Sequence, residues 1–118
     1  RDGSVSIGDT SLSDLNAVAI GTGSTAGLRA LAIGFGSTAG DGSIAIGAES
    51  AASEANTVSF GNVATQRRLV HVAAGVADSD AVTMGQLNTV SAAATAAQGT
   101  ADTALATAGT ALANAATA

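Results

Sequence analysis

The sequence predicts a mostly β fold with a C-terminal α segment, a parallel β-roll followed by a long helix. Three observations predict it. A four-residue string recurs at a nearly constant interval. Apolar residues alternate inside each copy. After the last copy the alternation stops and alanine takes over. The recurring strings are VSIG at 5–8, VAIG at 18–21, LAIG at 31–34, IAIG at 44–47 and VSFG at 58–61. Their closing glycines, Gly8, Gly21, Gly34, Gly47 and Gly61, are spaced 13, 13, 13 and 14 residues apart. Ser11, Ser24, Ser37 and Ser50 each follow a glycine by three positions. Two features repeating in step are the mark of a repeat architecture.

Within each copy the bulky residues sit two apart: Val5 and Ile7, Val18 and Ile20, Leu31 and Ile33, Ile44 and Ile46, Val58 and Phe60. This is strand periodicity, rich in β-branched residues. Ser6, Ala19, Ala32, Ala45 and Ser59 fall between them, so one strand face is bulky and the other small. Each glycine ends a strand where the chain must turn. The following short stretch, such as GSTAG, supplies a second strand. One unit is then one coil, with two short strands and two turns. A coil this narrow holds Ala, Ser and Gly inside, so the bulky face points outward. Ten exposed aliphatic and aromatic side chains would exceed the patch of a typical soluble monomer. Burying each is worth about 1.5–3 kcal/mol. The expected cover is other copies of the same chain.

Gly21-Thr22-Gly23-Ser24-Thr25-Ala26 also fits G-x-G-x-x-A, with Asp41 twenty residues after Gly21. The dinucleotide-binding turn needs a crossover helix behind it. A 13-residue unit has no room for one, and the string recurs, so the likeness is architectural.

Residues 91–118 contain fourteen alanines in 28 positions, and alanine is the best helix former. Two seams follow the 4-3 spacing of a coiled coil. One runs Met84, Leu87, Ser91, Ala94, Gln98, Ala101, Leu105, Ala108, Leu112, Ala115. The other runs Leu87, Val90, Ala94, Ala97, Ala101, Ala104, Ala108, Ala111, Ala115, Ala118. The first is preferred because it places both leucines inside. Gln98 on that seam would set register or hold a water or anion on the axis. Gly99 and Gly109 weaken the helix in isolation.

Residues 62–88 read as a joint between roll and helix. They carry Arg67, Arg68, His71, Asp78 and Asp80. RLVHV at 68–72 alternates and suits a short extended arm. Asp80 stands before AVTMGQL as a candidate N-cap, with Asp78 near the same helix end. Pairing of Arg67 and Arg68 with Asp78 and Asp80 across chains would lock the joint.

The 118 residues carry no cysteine or proline, only two aromatics and a net charge of −5. Such a core is thin for a monomer, and oligomerisation is the remedy. No disulfide or thiolate metal site is possible. All four cations are arginine, and no basic stripe exists for nucleic acid. No apolar run is long enough for a membrane-spanning helix, and no membrane contact is expected within this stretch. No export signal is visible, so the chain reads as an internal piece of a longer protein. His71 lacks the partners of a nucleophile–base set, and no catalytic residue, cofactor or metal is expected. At a threefold joint its copies would meet, giving a pH-sensitive spot. Asp2-Gly3 and Asp41-Gly42 are read as turns, because their acids do not recur at the fixed offset of a calcium-binding repeat.

The parts in this order resemble trimeric autotransporter adhesins with a YadA-like head. The family's head repeat is roughly S-V-A-I-G-x-x-S-x-A; AVAIGTGSTA, ALAIGFGSTA and SIAIGAESAA match it. The neck pattern is met by RLVHVAAG at 68–75 and DAVTMGQL at 80–87, with His71 and Thr83 where the family has asparagine. The resemblance implies a left-handed roll over 1–61, a neck over 62–88 and a trimeric coiled-coil stalk over 89–118. It implies a Gram-negative cell surface, an outer-membrane barrel anchor outside this stretch, and attachment to host cells or to matrix proteins such as collagen, fibronectin and laminin. The expected homotrimer contacts are the ten bulky roll residues with Met84 and Leu87. The expected ligand-facing residues are Thr22, Leu28, Arg29, Phe35, Asp41, Glu49 and Glu54. A passive spacer, lifting another head from the surface, shares the same fold.

Overall fold

The computed structural model describes residues 3–118; Asp2 lies outside the described residues. Among the described residues it contains nine short strands and one helix, in two units that divide after Arg68. In the first unit the three-residue strands β1 (Val5–Ile7), β3 (Val18–Ile20), β5 (Leu31–Ile33) and β7 (Ile44–Ile46) line up with β9 (Val58–Ser59) in one sheet. The two-residue strands β2 (Leu12–Ser13), β4 (Thr25–Ala26), β6 (Thr38–Ala39) and β8 (Ala51–Ala52) form the other. Every pairing is parallel, each strand bonding to its equivalent one coil later. The result is the parallel β-solenoid that the 13-residue period predicts.

The interior follows from the coil's width. Ala19, Ala32 and Ala45 of the first sheet are fully buried, facing Ala26, Ala39 and Ala52 of the second. The largest fully buried side chains are serines, Ser24, Ser37, Ser43 and Ser50, so nothing bigger fits. In the first coil Ser6 and Ser13 hydrogen-bond across the roll, Oγ to Oγ, at 2.6 Å.

Each coil closes through two four-residue turns of the same design. In the turn after each three-residue strand, the fourth residue donates its amide to the first glycine's carbonyl, as Ser24 does to Gly21 and Ser37 to Gly34. The buried serine hydroxyl donates to the same oxygen, at 2.7 Å in Ser24 and 2.9 Å in Ser37. Ser11 does the same to Gly8 at 2.9 Å, so the bond accounts for three of the four serines that stand three residues past a glycine. The third turn position is left-handed: Thr10, Gly23, Gly36 and Glu49 all have φ between 56° and 68°. The opposite turns repeat this at Asn16, Arg29, Gly42 and Asn56. The one 14-residue interval places its extra residue in this second turn type, before Thr57, whose carbonyl accepts from the Ile44 amide.

Ser50 Oγ is buried with no hydrogen-bond partner among the described residues. This separates two substitutions that look alike in sequence. Ser37→Ala removes a made bond and is expected to cost about 0.5–1.5 kcal/mol. Ser50→Ala removes an unpaired hydroxyl and is expected to be neutral or stabilising. Urea midpoints of the two variants check this; equal losses would contradict it.

In the second unit α1 spans Met84–Thr117, 34 residues and so roughly 50 Å at the α-helical rise. None of its residues is buried. Its bounds run through part of the span read as neck.

Candidate self-association face and ligand-facing turns

The outward face of the first sheet is two apolar rows. Register places Val5, Val18, Leu31, Ile44 and Val58 side by side in one, and Ile7, Ile20, Ile33 and Ile46 in the other. Phe60 follows β9 and is half-buried. Val5, Ile7, Ile46 and Val58 are exposed; Val18, Ile20, Leu31, Ile33 and Ile44 are half-buried. Parallel strands spaced about 4.8 Å apart make this a flat, continuous ladder. A ladder of this kind is what a second copy of the same surface can pack against.

The turn residues fall into two columns on opposite edges of the roll. Thr22 and Phe35, thirteen residues apart, stack in the column between the two sheets, and Glu49 lies in the next coil's copy of that turn. Phe35 is 61% exposed, a lone aromatic at the surface. The other column carries Leu28, Arg29, Asp41 and Glu54. There the Asp41 carboxylate accepts the Leu28 amide at 2.9 Å, and Gly42 donates to the Leu28 carbonyl at 2.9 Å. Leu28, Arg29, Asp41, Gly42, Ala55 and Asn56 line a shallow recess of about 390 Å³. The seven residues therefore present two separate surfaces. Arg29 and Glu49 hold left-handed backbone, φ 55° and 58°, as Asn16, Asn56 and Thr10 do at the equivalent positions of other coils.

Within the single chain the neck residues have the following partners. The Arg67 guanidinium donates to the Phe60 carbonyl at 2.6 Å and the Ala48 carbonyl at 2.9 Å of its own chain. Arg68 is exposed in chain without regular structure, as is Asp78. The segment 68–72 is not a strand, and His71 breaks its extension with φ 60°. Asp80 is not the N-cap. That role belongs to Thr83, whose hydroxyl accepts the Gln86 amide while Gln86 Oε1 accepts the Thr83 amide. Thr83-Met84-Gly85-Gln86 is the S/T-x-x-E/Q capping box, a signal present in the sequence. Gln86 also grips Gly75, accepting its amide at 3.0 Å and donating to its carbonyl at 2.9 Å.

Asp80 turns back instead. Its carboxylate accepts the amides of Val76 and Ala77 at 2.9 and 3.0 Å. Those bonds, Ala77 first, hold its carboxyl below the ordinary value of 3.8. A depressed folded pKa gives stability that is present above the unfolded pKa and lost as pH falls through the folded one. The Asp80 carboxyl is expected to titrate below pH 3.8, with the Val76 and Ala77 amide shifts following the same midpoint by NMR. A midpoint at or above the ordinary value would contradict the contact.

On the helix, Met84, Leu87, Val90, Leu105 and Leu112 are all exposed. Gln98 donates to Asp102 at 2.7 Å along its own helix. No helix among the described residues is long and apolar enough to cross a membrane, and no cluster of three metal-ligating groups occurs among them.

Residues 68–117 match the family model described as the coiled stalk of trimeric autotransporter adhesins. Among solved structures, the collagen-binding domain of the Yersinia adhesin YadA is similar at 28% identity, covering 75% of this chain and 74% of that one, with a TM-score of 0.45. No curated protein matches the chain. Residues 68–117, with their capped helix start, are thus similar to the coiled stalk of trimeric autotransporter adhesins, and they follow a roll of 13-residue repeats.

Proposed function

We propose that the chain is the head, neck and stalk start of a homotrimeric surface adhesin that attaches bacteria to host cells or extracellular matrix without catalysis. The carrying observation is the apolar ladder on the first sheet, which the roll's own interior is too narrow to cover. Three such faces packed together leave the turn columns outward. Several coils on three chains then offer repeated weak contacts, and linked binding multiplies affinity by roughly 10²–10⁴. The implied setting is a Gram-negative outer surface, with a barrel anchor elsewhere in the protein.

Solid-phase binding of the assembled protein to collagen, fibronectin and laminin tests the adhesive reading. Saturable binding that weakens in Arg29→Gly or Glu49→Gly supports it. Both substitutions relieve left-handed backbone, so stability is expected to hold or rise by about 0.5–1 kcal/mol while binding falls. Absence of saturable binding to any matrix protein would favour the spacer.

A further inference from the structure

We infer that Arg67 is the closing cap of the roll, its guanidinium standing where the backbone of a further coil would stand. The stack has a repeating bond. Gly23 donates to the Asp9 carbonyl, Gly36 to Thr22 and Glu49 to Phe35, at 2.7–2.9 Å. The next acceptor in that column is Ala48, and its donor is Arg67 Nη2 at 2.9 Å. A side chain has replaced a main-chain amide at the same place in the lattice.

The glycine column gives the same answer independently. A Cβ built on Gly8, Gly21 or Gly34 would lie 2.5–2.9 Å from the carbonyl group of the next coil's glycine. On Gly47 it would meet Arg67 Cζ at 2.9 Å and Nη1 at 3.0 Å. The guanidinium therefore lies over Gly47 as a peptide plane lies over each earlier glycine. Both groups are flat and carry N–H donors, which suits arginine and not lysine. Two neighbours finish the edge. The Gly61 carbonyl accepts the Ala51 amide, the part Ser24, Ser37 and Ser50 play for Leu12, Thr25 and Thr38. Asn62 Nδ2 donates to the Glu49 carbonyl at 2.8 Å, and its Oδ1 accepts the Ala64 and Thr65 amides.

An open end of a parallel stack is a row of unpaired carbonyls and a template for further strands. Repeat arrays need such ends closed. Arg67 closes this one with neutral acceptors, so its action depends on shape and donors and not on a carboxylate partner.

The test is amide exchange on the full chain, comparing Arg67→Ala and Arg67→Lys with the parent. In Arg67→Ala the Ser50, Ala51 and Asn62 amides are expected to exchange roughly tenfold faster or more, while Val18 and Thr25 stay within about twofold. Arg67→Lys keeps the charge but lacks the planar fork, and is expected to resemble Arg67→Ala; it carries the test should Arg67→Ala not fold. Parent-like exchange at the last coil in either variant, or acceleration spread evenly over all coils, would overturn the assignment.

Discussion

Gly21→Ala is expected to lower the stability of the roll by about 3–5 kcal/mol, among the largest effects a single methyl can have. Two costs add. The backbone there has φ 129°, a region that side-chain-bearing residues rarely adopt. The added carbon would sit 2.5 Å from the Gly34 oxygen and 2.6 Å from its carbonyl carbon. Those are main-chain atoms of the next coil, already fixed by the Gly34 amide bond to Ile20 at 2.8 Å. Relief requires separating two coils, and in a stack every coil is held only by its neighbours. Gly99→Ala is the control. Gly99 is inside α1 with open space around its Cα, and alanine there is expected to stabilise the helix by about 1 kcal/mol. Thermal and denaturant unfolding of both variants decide the matter. A loss below about 1 kcal/mol at Gly21 would mean that the coils do not touch at this column.

Ile33→Asp is expected to abolish the oligomer. Ile33 is the middle of the outer row and half-exposed on the single chain. On a lone roll an aspartate would be solvated there at little cost. At a threefold contact it would put an unpaired carboxylate into apolar surroundings in each copy, costing several kcal/mol apiece. Thr25→Asp, exposed on the second sheet, is the matched control and is expected to leave assembly intact. Sedimentation velocity at micromolar concentration reads the outcome. An Ile33→Asp protein that sediments like the parent would place this face in solvent.

The sequence was most informative where the repeat is strict. Thirteen-residue spacing and the bulky–small–bulky string determine coil, strand and interior together, because a period of two and a closed coil leave one arrangement. The serine three residues past each glycine was visible as a pattern; its bond to the glycine carbonyl was not, since only three-dimensional closure brings the groups together. The second turn column was hidden because Asn16, Arg29, Gly42 and Asn56 share a left-handed conformation but not one residue type. The separation of Thr22 and Phe35 from Leu28 and Asp41 was legible by arithmetic, each pair being thirteen apart. At the helix start two local signals competed. Asp80 is a good cap by type, but Thr83 with Gln86 satisfies two amides at once and wins. Arg67 reaches Ala48 across nineteen positions, and no local pattern announces such a contact.

The central claim is that this roll's apolar flank is covered by sister chains. The most direct measurement is the mass in solution, by sedimentation equilibrium or native mass spectrometry across a range of concentrations. The account predicts about 33 kDa, three times the 11.0 kDa chain, persisting on dilution. A folded, monodisperse species of 11.0 kDa would contradict it.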